Sequence, residues 1–485
     1  MANLALPCLL LSLPGPELPE ATARRLEQGL AGVILFARNI GSTTDLRRLC
    51  GAIREIKPDA IVALDEEGGE VTRLEAATGS SWPGARVLGV VDEPDLTARA
   101  GREIALALAH SGANVNLAPV ADVAACALDA VIGNRAFGED PGLVARHVAA
   151  FVGASQGAGV AACAKHFPGH GAAAGDSHLD LPVVDLDRSA LLAGHVAPFA
   201  EAVSAGVAML MTAHVLYPAL DDRPATVSPA VLDGLARREL GFDGVIVTDA
   251  LTMGAIANRV GVAAGAVAAL SAGADLLCVD GGPQLQSEVI AALDDAIAAG
   301  ELSPRRVEEA AHRVARLAAA FPPTADGPAP APVHAIGLQA ARRALRTGPL
   351  PGPVRSAPYV VEASTARAGI GDVRARLLDA LRRRDPATAG AAFAADAVPG
   401  ADAVLDAAGD RPIVIGSRDA HRRPEQRALI AALLAARPDA VVVGLGSPAD
   451  AALAPGRFLA ARGAAPPNVE AVAEVLLAPR GKSLT

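Results

Sequence analysis

The sequence lacks several features that mark common classes of protein. Its five cysteines are scattered and include no C-x-x-C pair, which argues against a disulfide or zinc framework and favours reduced thiols in a cytoplasmic protein: Cys8, Cys50, Cys126, Cys163 and Cys278. Lys and Arg are dispersed and the formal net charge is −10, so no nucleic-acid partner is indicated. No apolar run reaches the roughly 20 residues that span a bilayer, so no membrane partner is expected.

The N-terminal stretch "MANLALPCLLLSLPGPELPE" has the apolar character of a signal peptide but not its other parts. It carries no positive n-region, and Pro7 and Pro14 interrupt its apolar run. A buried first strand is therefore the preferred interpretation.

The first two-thirds of the chain alternate short apolar runs with longer alanine-rich helical patterns. At 485 residues the chain exceeds the roughly 250–300 residues at which one core stops growing, so two domains are expected. Eight runs are nearly continuous in hydrophobicity, as strands buried on both faces are: "PCLLLSL", "GVILF", "AIVAL", "ANVNLAPV", "GVAACA", "VAMLM", "GVIVT" and "ADLLCV". Eight is the closing number, so residues 1–321 are predicted to form an α/β domain, a (β/α)8 TIM-like barrel.

A Pro/Ala/Gly-rich stretch, "PPTADGPAPAPVHA" at 322–335, predicts a semi-rigid linker. Beyond it, a helical "GLQAARRALRT", the apolar runs "YVVEA", "PIVIGS" and "AVVVGLG", and a second helical stretch alternate. Residues 336–485 are therefore predicted to form a smaller α/β sandwich domain.

Charged side chains stand where three predicted barrel strands end. Asp65 follows "AIVAL", Lys165 follows "GVAACA" and Asp249 follows "GVIVT". The carboxyl ends of barrel strands carry the chemistry in this architecture. A carboxylate such as Asp249 can act there as a nucleophile if it stays ionised and faces an acid.

The segment "KHFPGHGAAAGDSHLDLP", from Lys165 to Pro182, gathers three histidines and two aspartates among glycines and prolines. The glycines permit backbone conformations that a β-carbon forbids, so a shaped loop is expected. Asp176 and His178 are two residues apart and, in an extended segment, would project to one side. The carboxylate could then orient the imidazole and favour its charged form, as general acid/base catalysis requires.

Four motifs in this order resemble glycoside hydrolase family 3, and most closely its NagZ-like β-N-acetylglucosaminidases: "DEEGGEVTR", "IGNRAFGEDP", "KHFPGHG" with "DSH", and "GFDGVIVTDALTM". The resemblance covers nearly all of the first domain; the second is similar to two-domain members only in general pattern. The sequence departs from the family at Glu66 and Glu70, where glutamine and arginine are frequent, and we expect the change to add negative charge near Asp65.

The resemblance implies a role for each matching residue. It makes Asp249 the nucleophile and His178 the general acid/base, assisted by Asp176. It assigns four residues to the hydroxyls of N-acetylglucosamine: Asp65, Arg135, Lys165 and His166. The implied enzyme is a cofactor-free, retaining exo-β-N-acetylglucosaminidase acting on small glycans such as muropeptide fragments, with an imidazole in place of the usual second carboxyl. Closure of the loop on substrate would exclude water and complete the site.

Three other functions stay open. A phosphorylase would use the same residues with phosphate as acceptor, and an imidazole repels that anion less than a carboxylate would. A metal-dependent hydrolase could use His166, His170, Asp176 and His178, but Pro168 and Gly169 break the helical register that aligns ligands four residues apart, so no metal is expected. A non-catalytic sugar-binding module would not need both a strand-end aspartate and an oriented histidine. The sequence does not indicate an oligomeric state.

Overall fold

The protein is described here by a computed structural model, which covers residues 4–126, 131–324, 334–347, 354, 357–367, 371–373, 376–394 and 397–478. The chain divides into two compact units. The first comprises Met1–Glu67, Glu93–Ile132 and Ala136–Ala331, and the second comprises Gly68–Asp92, Gly133–Arg135 and Pro332–Thr485. Residues 325–333 of the predicted 322–335 linker lie outside the described part, so the predicted domain boundaries stay a prediction.

The first unit contains an eight-stranded parallel sheet. Its strands are β1 Leu9–Ser12, β2 Gly32–Ile34, β3 Ile61–Leu64, β4 Val115–Asn116, β5 Ala161–Phe167, β6 Met209–Thr212, β7 Val245–Thr248 and β8 Leu277–Val279. They run in the order β7-β6-β5-β4-β3-β2-β1-β8, and a parallel bridge between Val247 and Leu276 joins the two ends. The predicted (β/α)8 barrel is confirmed, and each of the eight apolar runs coincides wholly or in part with one strand.

The barrel strands are short and apolar because both of their faces are buried. Side chains from successive strands meet in one core cluster, including Leu10, Ile61, Val115, Met211 and Val245, all at most 3% exposed. Because apolar side chains fill the barrel interior, polar side chains that could form a site lie at the strand ends.

Sixteen α-helices are present in the described part of the chain: α1 Glu20–Glu27, α2 Thr43–Ile56, α3 Ala85–Val91, α4 Pro94–Ser111, α5 Pro141–Gly157, α6 Arg188–Leu191, α7 Ala197–Ser204, α8 Gly254–Ala257, α9 Val262–Ala272, α10 Pro283–Ala298, α11 Pro304–Ala320, α12 His334–Ala344, α13 Arg376–Arg384, α14 Ala401–Ala408, α15 Pro424–Ala436 and α16 Pro466–Leu476. Two π-helical segments occupy Leu192–Val196 and Ala230–Glu239. None of the described helices combines the length and the apolar character that crossing a membrane requires.

Helix α2 shows how the local sequence sets an element. The Ser42 side chain caps its start by accepting the N–H of Asp45 at 3.1 Å. Leu46, Leu49 and Ile53 follow at helical spacing and are buried, so one face of the helix packs inward.

The second unit contains a seven-stranded sheet with strands β9 Arg346–Thr347, β10 Tyr359–Arg367, β11 Gly371–Val373, β12 Ala389–Ala394, β13 Ile413–Ser417, β14 Val441–Gly444 and β15 Phe458–Ala460. Five strands are parallel in the order β12-β10-β13-β14-β15, while β11 and β9 pair antiparallel at β10 and β15.

Alternate residues along these strands face opposite sides of the sheet. Val441 and Val443 of β14 pack with Leu381 of α13 in one core, whereas Val442 packs with Leu433 of α15 in another. Helices therefore cover both faces, and the predicted α/β sandwich is confirmed.

One local expectation was wrong. The polar loop was expected to start at Lys165, but β5 continues through Phe167, so Lys165 and His166 are strand residues. Both side chains are buried, at 1% and 5% exposed, because each has a carboxylate partner that compensates for lost water.

Candidate active site

Lys165 joins two carboxylates at the carboxyl end of β3. Its Nζ lies 2.7 Å from Oδ1 of Asp65 and 2.7 Å from Oε1 of Glu67. A buried ammonium needs such partners, because burial removes the water that would otherwise solvate its charge. The arrangement brings the predicted residues Asp65 and Lys165 together and adds Glu67, which the sequence analysis had quoted only as part of a motif.

Asp122 holds the segment that carries His166 and His170. Its side chain is fully buried, and its Oδ2 accepts the Nδ1–H of His166 at 2.7 Å. Its carboxylate also accepts the backbone N–H of His166, and its Oδ1 accepts that of His170 at 2.6 Å. Burial raises the pKa of Asp122, but the two histidines lower it by more, so the pKa lies below its ordinary value.

Sequence reasoning missed Asp122. It follows β4 in the apolar stretch "LAPVADVAA", and no local pattern sets it apart. Its partner His166 is 44 residues away. The one available signal in the sequence was that an acidic residue, Asp122 itself, follows the apolar run that became β4.

The loop after β5 is shaped as expected. Gly169 has φ +128°, and a β-carbon on Gly171 would lie 2.1 Å from the carbonyl oxygen of Val123. His170 is buried within this loop, and its Nε2 lies 3.1 Å from Oγ of Ser177, the residue before His178. These contacts give His170 a hydrogen-bonding place within the loop.

Asp176 and His178 contact each other, but through a turn and not through the extended segment that was expected. The Nδ1–H of His178 donates to Oδ1 of Asp176 at 2.8 Å, and the backbone N–H of His178 donates to the same oxygen at 2.9 Å. The N–H of Leu179 donates to the Asp176 carbonyl, which closes the turn. Asp176 thus both caps the turn and orients the imidazole. The hydrogen bond from His178 lowers the pKa of Asp176.

Asp249 directly follows β7 and is partly buried. Burial raises the pKa of its carboxyl, but the charges of His166 and His214 counter this effect. The N–H of Ala250, 2.7 Å from Oδ1, and the imidazole of His178 lower the pKa further. The net result is a pKa below the ordinary value, so Asp249 is ionised at neutral pH.

His214 supports the backbone next to Asp249. Its Nε2–H donates to the carbonyl of Ala250 at 3.0 Å, and its Nδ1 lies 2.6 Å from Oγ1 of Thr226. Burial lowers the pKa of His214, although Asp249 acts in the opposite direction. The ring of His214 therefore fixes the Ala250 peptide, whose N–H donates to Asp249.

Arg135 ends the short 3-10 turn Gly133–Arg135 and belongs to the second compact unit. Its assignment to the sugar stays a prediction. The other six predicted residues belong to the first unit. Across the described ranges, no three His, Cys, Asp or Glu side chains are grouped as a metal site would require.

The first unit therefore combines three chemical elements. An ionised carboxylate lies at a strand end, its pKa lowered by three histidines. An Asp–His pair can give and take a proton. Lys165 with its two carboxylates offers donors and acceptors suited to hydroxyl groups.

Several known proteins with a similar sequence or structure carry the names of glycosidases. Residues 16–317 match the family described as "Glycosyl hydrolase family 3 N terminal domain". A beta-hexosaminidase of Methylococcus capsulatus is 39% identical over 266 residues, which cover 54% of this chain and 79% of that protein. Another, of Nitrosomonas eutropha, is 34% identical over 320 residues, covering 64% and 91%.

A solved structure resembles both units. It is a glycoside hydrolase family 3 beta-N-acetylglucosaminidase from Paenibacillus sp. str. FPU-7, with 31% sequence identity and a TM-score of 0.90. The match covers 98% of this chain and 96% of that one.

Proposed function

Since the chain belongs to glycosyl hydrolase family 3 and is a glycoside hydrolase, we propose that it is a retaining exo-β-N-acetylglucosaminidase that removes non-reducing N-acetylglucosamine from small glycans. The similarity to beta-hexosaminidases and to a beta-N-acetylglucosaminidase supports the choice of sugar. The observation that carries the mechanism is geometric: Asp249 directly follows β7 with Oδ1 2.7 Å from the N–H of Ala250, and His178 is held by Asp176 at 2.8 Å. The lowered pKa of Asp249 agrees with a charged carboxylate at this position.

In the first step, an oxygen of the Asp249 carboxylate attacks the anomeric carbon and forms a glycosyl ester, while the bond to the leaving oxygen breaks. His178 donates its Nε2 proton to that oxygen, and Asp176 holds the ring through Nδ1. In the second step, the neutral imidazole takes a proton from water. The resulting hydroxide attacks the anomeric carbon, releases the Asp249 carboxylate and gives net retention.

The remaining predicted residues bind the sugar in this proposal. Lys165 and Asp65 supply a donor and an acceptor for vicinal hydroxyls, and His166, fixed by Asp122, supplies a ring nitrogen. Arg135 adds a further donor.

We extend the proposal to muropeptide fragments as substrates and to a cytoplasmic location. The five free cysteines, four of them buried, support a reducing compartment. Neither extension affects the chemical steps.

The experiment is the release of product from para-nitrophenyl β-N-acetylglucosaminide with and without inorganic phosphate. Free N-acetylglucosamine in both reactions supports the hydrolase. A sugar 1-phosphate, formed at a rate that rises with phosphate, would replace the hydrolase with a phosphorylase. No release from this substrate or from a muropeptide fragment would refute the proposed sugar specificity.

A further inference from the structure

Two segments that interrupt the barrel sequence belong to the second compact unit. They are Gly68–Asp92, which begins directly after Glu67, and Gly133–Arg135. Both lie beside predicted sugar-binding residues in the chain: Asp65 precedes the first by three positions, and Arg135 ends the second. The contacts that hold these segments therefore involve residues close in the chain to Asp65 and Arg135.

Glu70 anchors the first segment to Arg418, the residue after β13. The Nη1 of Arg418 lies 3.1 Å from Oε1 of Glu70, and the backbone N–H of Ala464 donates to the same oxygen at 3.3 Å. The Arg418 side chain is 1% exposed and that of Glu70 is 6% exposed. A buried pair of this kind fixes its two segments closely, since separating the charges would leave each without solvent.

This pair adds to one expectation from the sequence. Glu70 stands where arginine is frequent in the family and was expected to add negative charge near Asp65, which stays a prediction. The structure shows that Arg418 pairs with this carboxylate. Within the described ranges, Nε and Nη2 of Arg418 have no hydrogen-bond acceptor, while its Nη1 pairs with Glu70.

Asn134 anchors the second segment. Its Nδ2 donates to the carbonyl of Gly446 at 3.0 Å, and its side chain is buried. Gly446 lies just beyond the end of β14, as Arg418 lies just beyond the end of β13. The two anchors therefore occupy the carboxyl ends of neighbouring strands of one sheet.

In open parallel sheets of this kind, ligands bind at the carboxyl ends of the strands, near the point where the strand order reverses. The order β12-β10-β13-β14-β15 places that reversal between β10 and β13. Here the carboxylate of Glu70 and the amide of Asn134 contact residues at the carboxyl ends of β13 and β14. Side chains of the protein itself therefore occupy the strand ends at which other parallel sheets bind an anion or a cofactor.

We propose that Arg418 and Asn134 are positioning residues for sugar binding, each acting through a segment that adjoins a predicted sugar-binding residue in the chain. The inference rests on the proposed function. Arg418 fixes Glu70 and so restricts the short stretch back to Glu67, whose carboxylate binds Lys165. Asn134 restricts its neighbour Arg135. Neither residue takes part in proton transfer or bond formation, so their loss weakens sugar binding and leaves the chemical steps intact.

The test is a set of variants of the full chain: Arg418→Met, Glu70→Gln, the two combined, and Asn134→Ala. Arg342→Met is the matched control, because it removes an arginine that pairs with Glu474 in the same unit but at an exposed position. Steady-state kinetics on the nitrophenyl glycoside give KM and kcat, and hydrogen exchange reports on residues 61–73.

We expect Arg418→Met to raise KM about fivefold or more, a size typical of coupled buried pairs, with kcat within about twofold of wild type. The double variant is expected to recover part of the loss, because it removes the buried Glu70 charge together with the Arg418 charge that opposes it. Asn134→Ala raises KM in the same way, and Arg342→Met leaves both constants unchanged. Hydrogen exchange in residues 61–73 becomes faster in Arg418→Met and stays at the wild-type rate in the control Arg342→Met.

Loss of kcat at unchanged KM would show that Arg418 supports only folding and would overturn the inference. Unchanged exchange in residues 61–73 would overturn it too, and this readout needs no activity. A wild-type protein that cleaves no N-acetylglucosaminide would refute the proposed function, while the exchange comparison would still decide whether Arg418 orders this segment.

Discussion

Replacing Asp176 with asparagine separates the charge of this residue from its role in the turn. An asparagine keeps an oxygen that can accept both N–H groups of His178, so the turn is retained. What is lost is the negative charge, 2.8 Å from Nδ1, that stabilises the imidazole when it carries two protons. The substitution therefore weakens proton donation by His178 without loss of its orientation.

The size of the effect follows from the geometry. A hydrogen bond to a charged group contributes about 1.5–3 kcal/mol. The side chains of Asp176 and His178 are 25% and 26% exposed, so solvent screening places the value at the lower end, about 1.5–2 kcal/mol. At about 1.4 kcal/mol for each factor of ten, Asp176→Asn should lower the rate about 10- to 30-fold where protonation of the leaving group limits it.

The assay compares two leaving groups. For a disaccharide, whose leaving oxygen needs a proton, kcat/KM should fall by the full amount. For a dinitrophenyl glycoside, whose leaving group departs without protonation, kcat/KM should fall by less than about threefold. Asp176→Ala, which also removes the turn acceptor, should lower both values. Equal losses for both substrates in Asp176→Asn would refute the assignment of Asp176 and His178 to proton transfer.

Three further outcomes are expected. Lys165→Met leaves Asp65 and Glu67 without their shared cation, so KM should rise and the free energy of unfolding should fall by about 3–5 kcal/mol, measured by kinetics and denaturant unfolding. The lowered pKa of Asp122 contributes stability that is fully present above the unfolded pKa of about 3.9 and is lost as pH falls through the folded pKa. The free energy of unfolding of the wild type, measured with denaturant, should therefore fall below about pH 4. A free energy that does not change with pH in this range would contradict the buried Asp122–His166 pair. In Gly254→Ala, the new β-carbon would lie 2.5 Å from the carbonyl oxygen of Leu179 and displace the turn that carries His178, so activity should fall roughly tenfold while the thermal midpoint changes little.

The barrel could be predicted because its strands are buried on both faces and therefore appear as continuous apolar runs. "GVIVT" and "AIVAL" became β7 and β3, and their terminal aspartates lie at the strand ends as expected. The helix "EQRALIAALLAARP" likewise corresponds to α15. A strong local sequence pattern was sufficient to predict these strands and this helix.

Contacts between residues far apart in the sequence could not be predicted. Asp122 and His166 are 44 residues apart in the sequence, and Glu70 and Arg418 are 348 residues apart. No local sequence pattern indicates either pair. The Asp176–His178 contact was expected from an extended segment but forms in a turn, because the Asp176 side chain competes for the backbone N–H of His178.

The central claim is that Asp249 forms a covalent bond to the sugar. The most direct measurement treats the protein with a 5-fluoro N-acetylglucosaminyl fluoride, which slows breakdown of a glycosyl ester, and then maps the modified peptide by mass spectrometry. The account predicts one added sugar on the peptide that contains Asp249, and none in Asp249→Ala. A sugar attached to another residue, or rapid turnover to a product of inverted configuration, would contradict it.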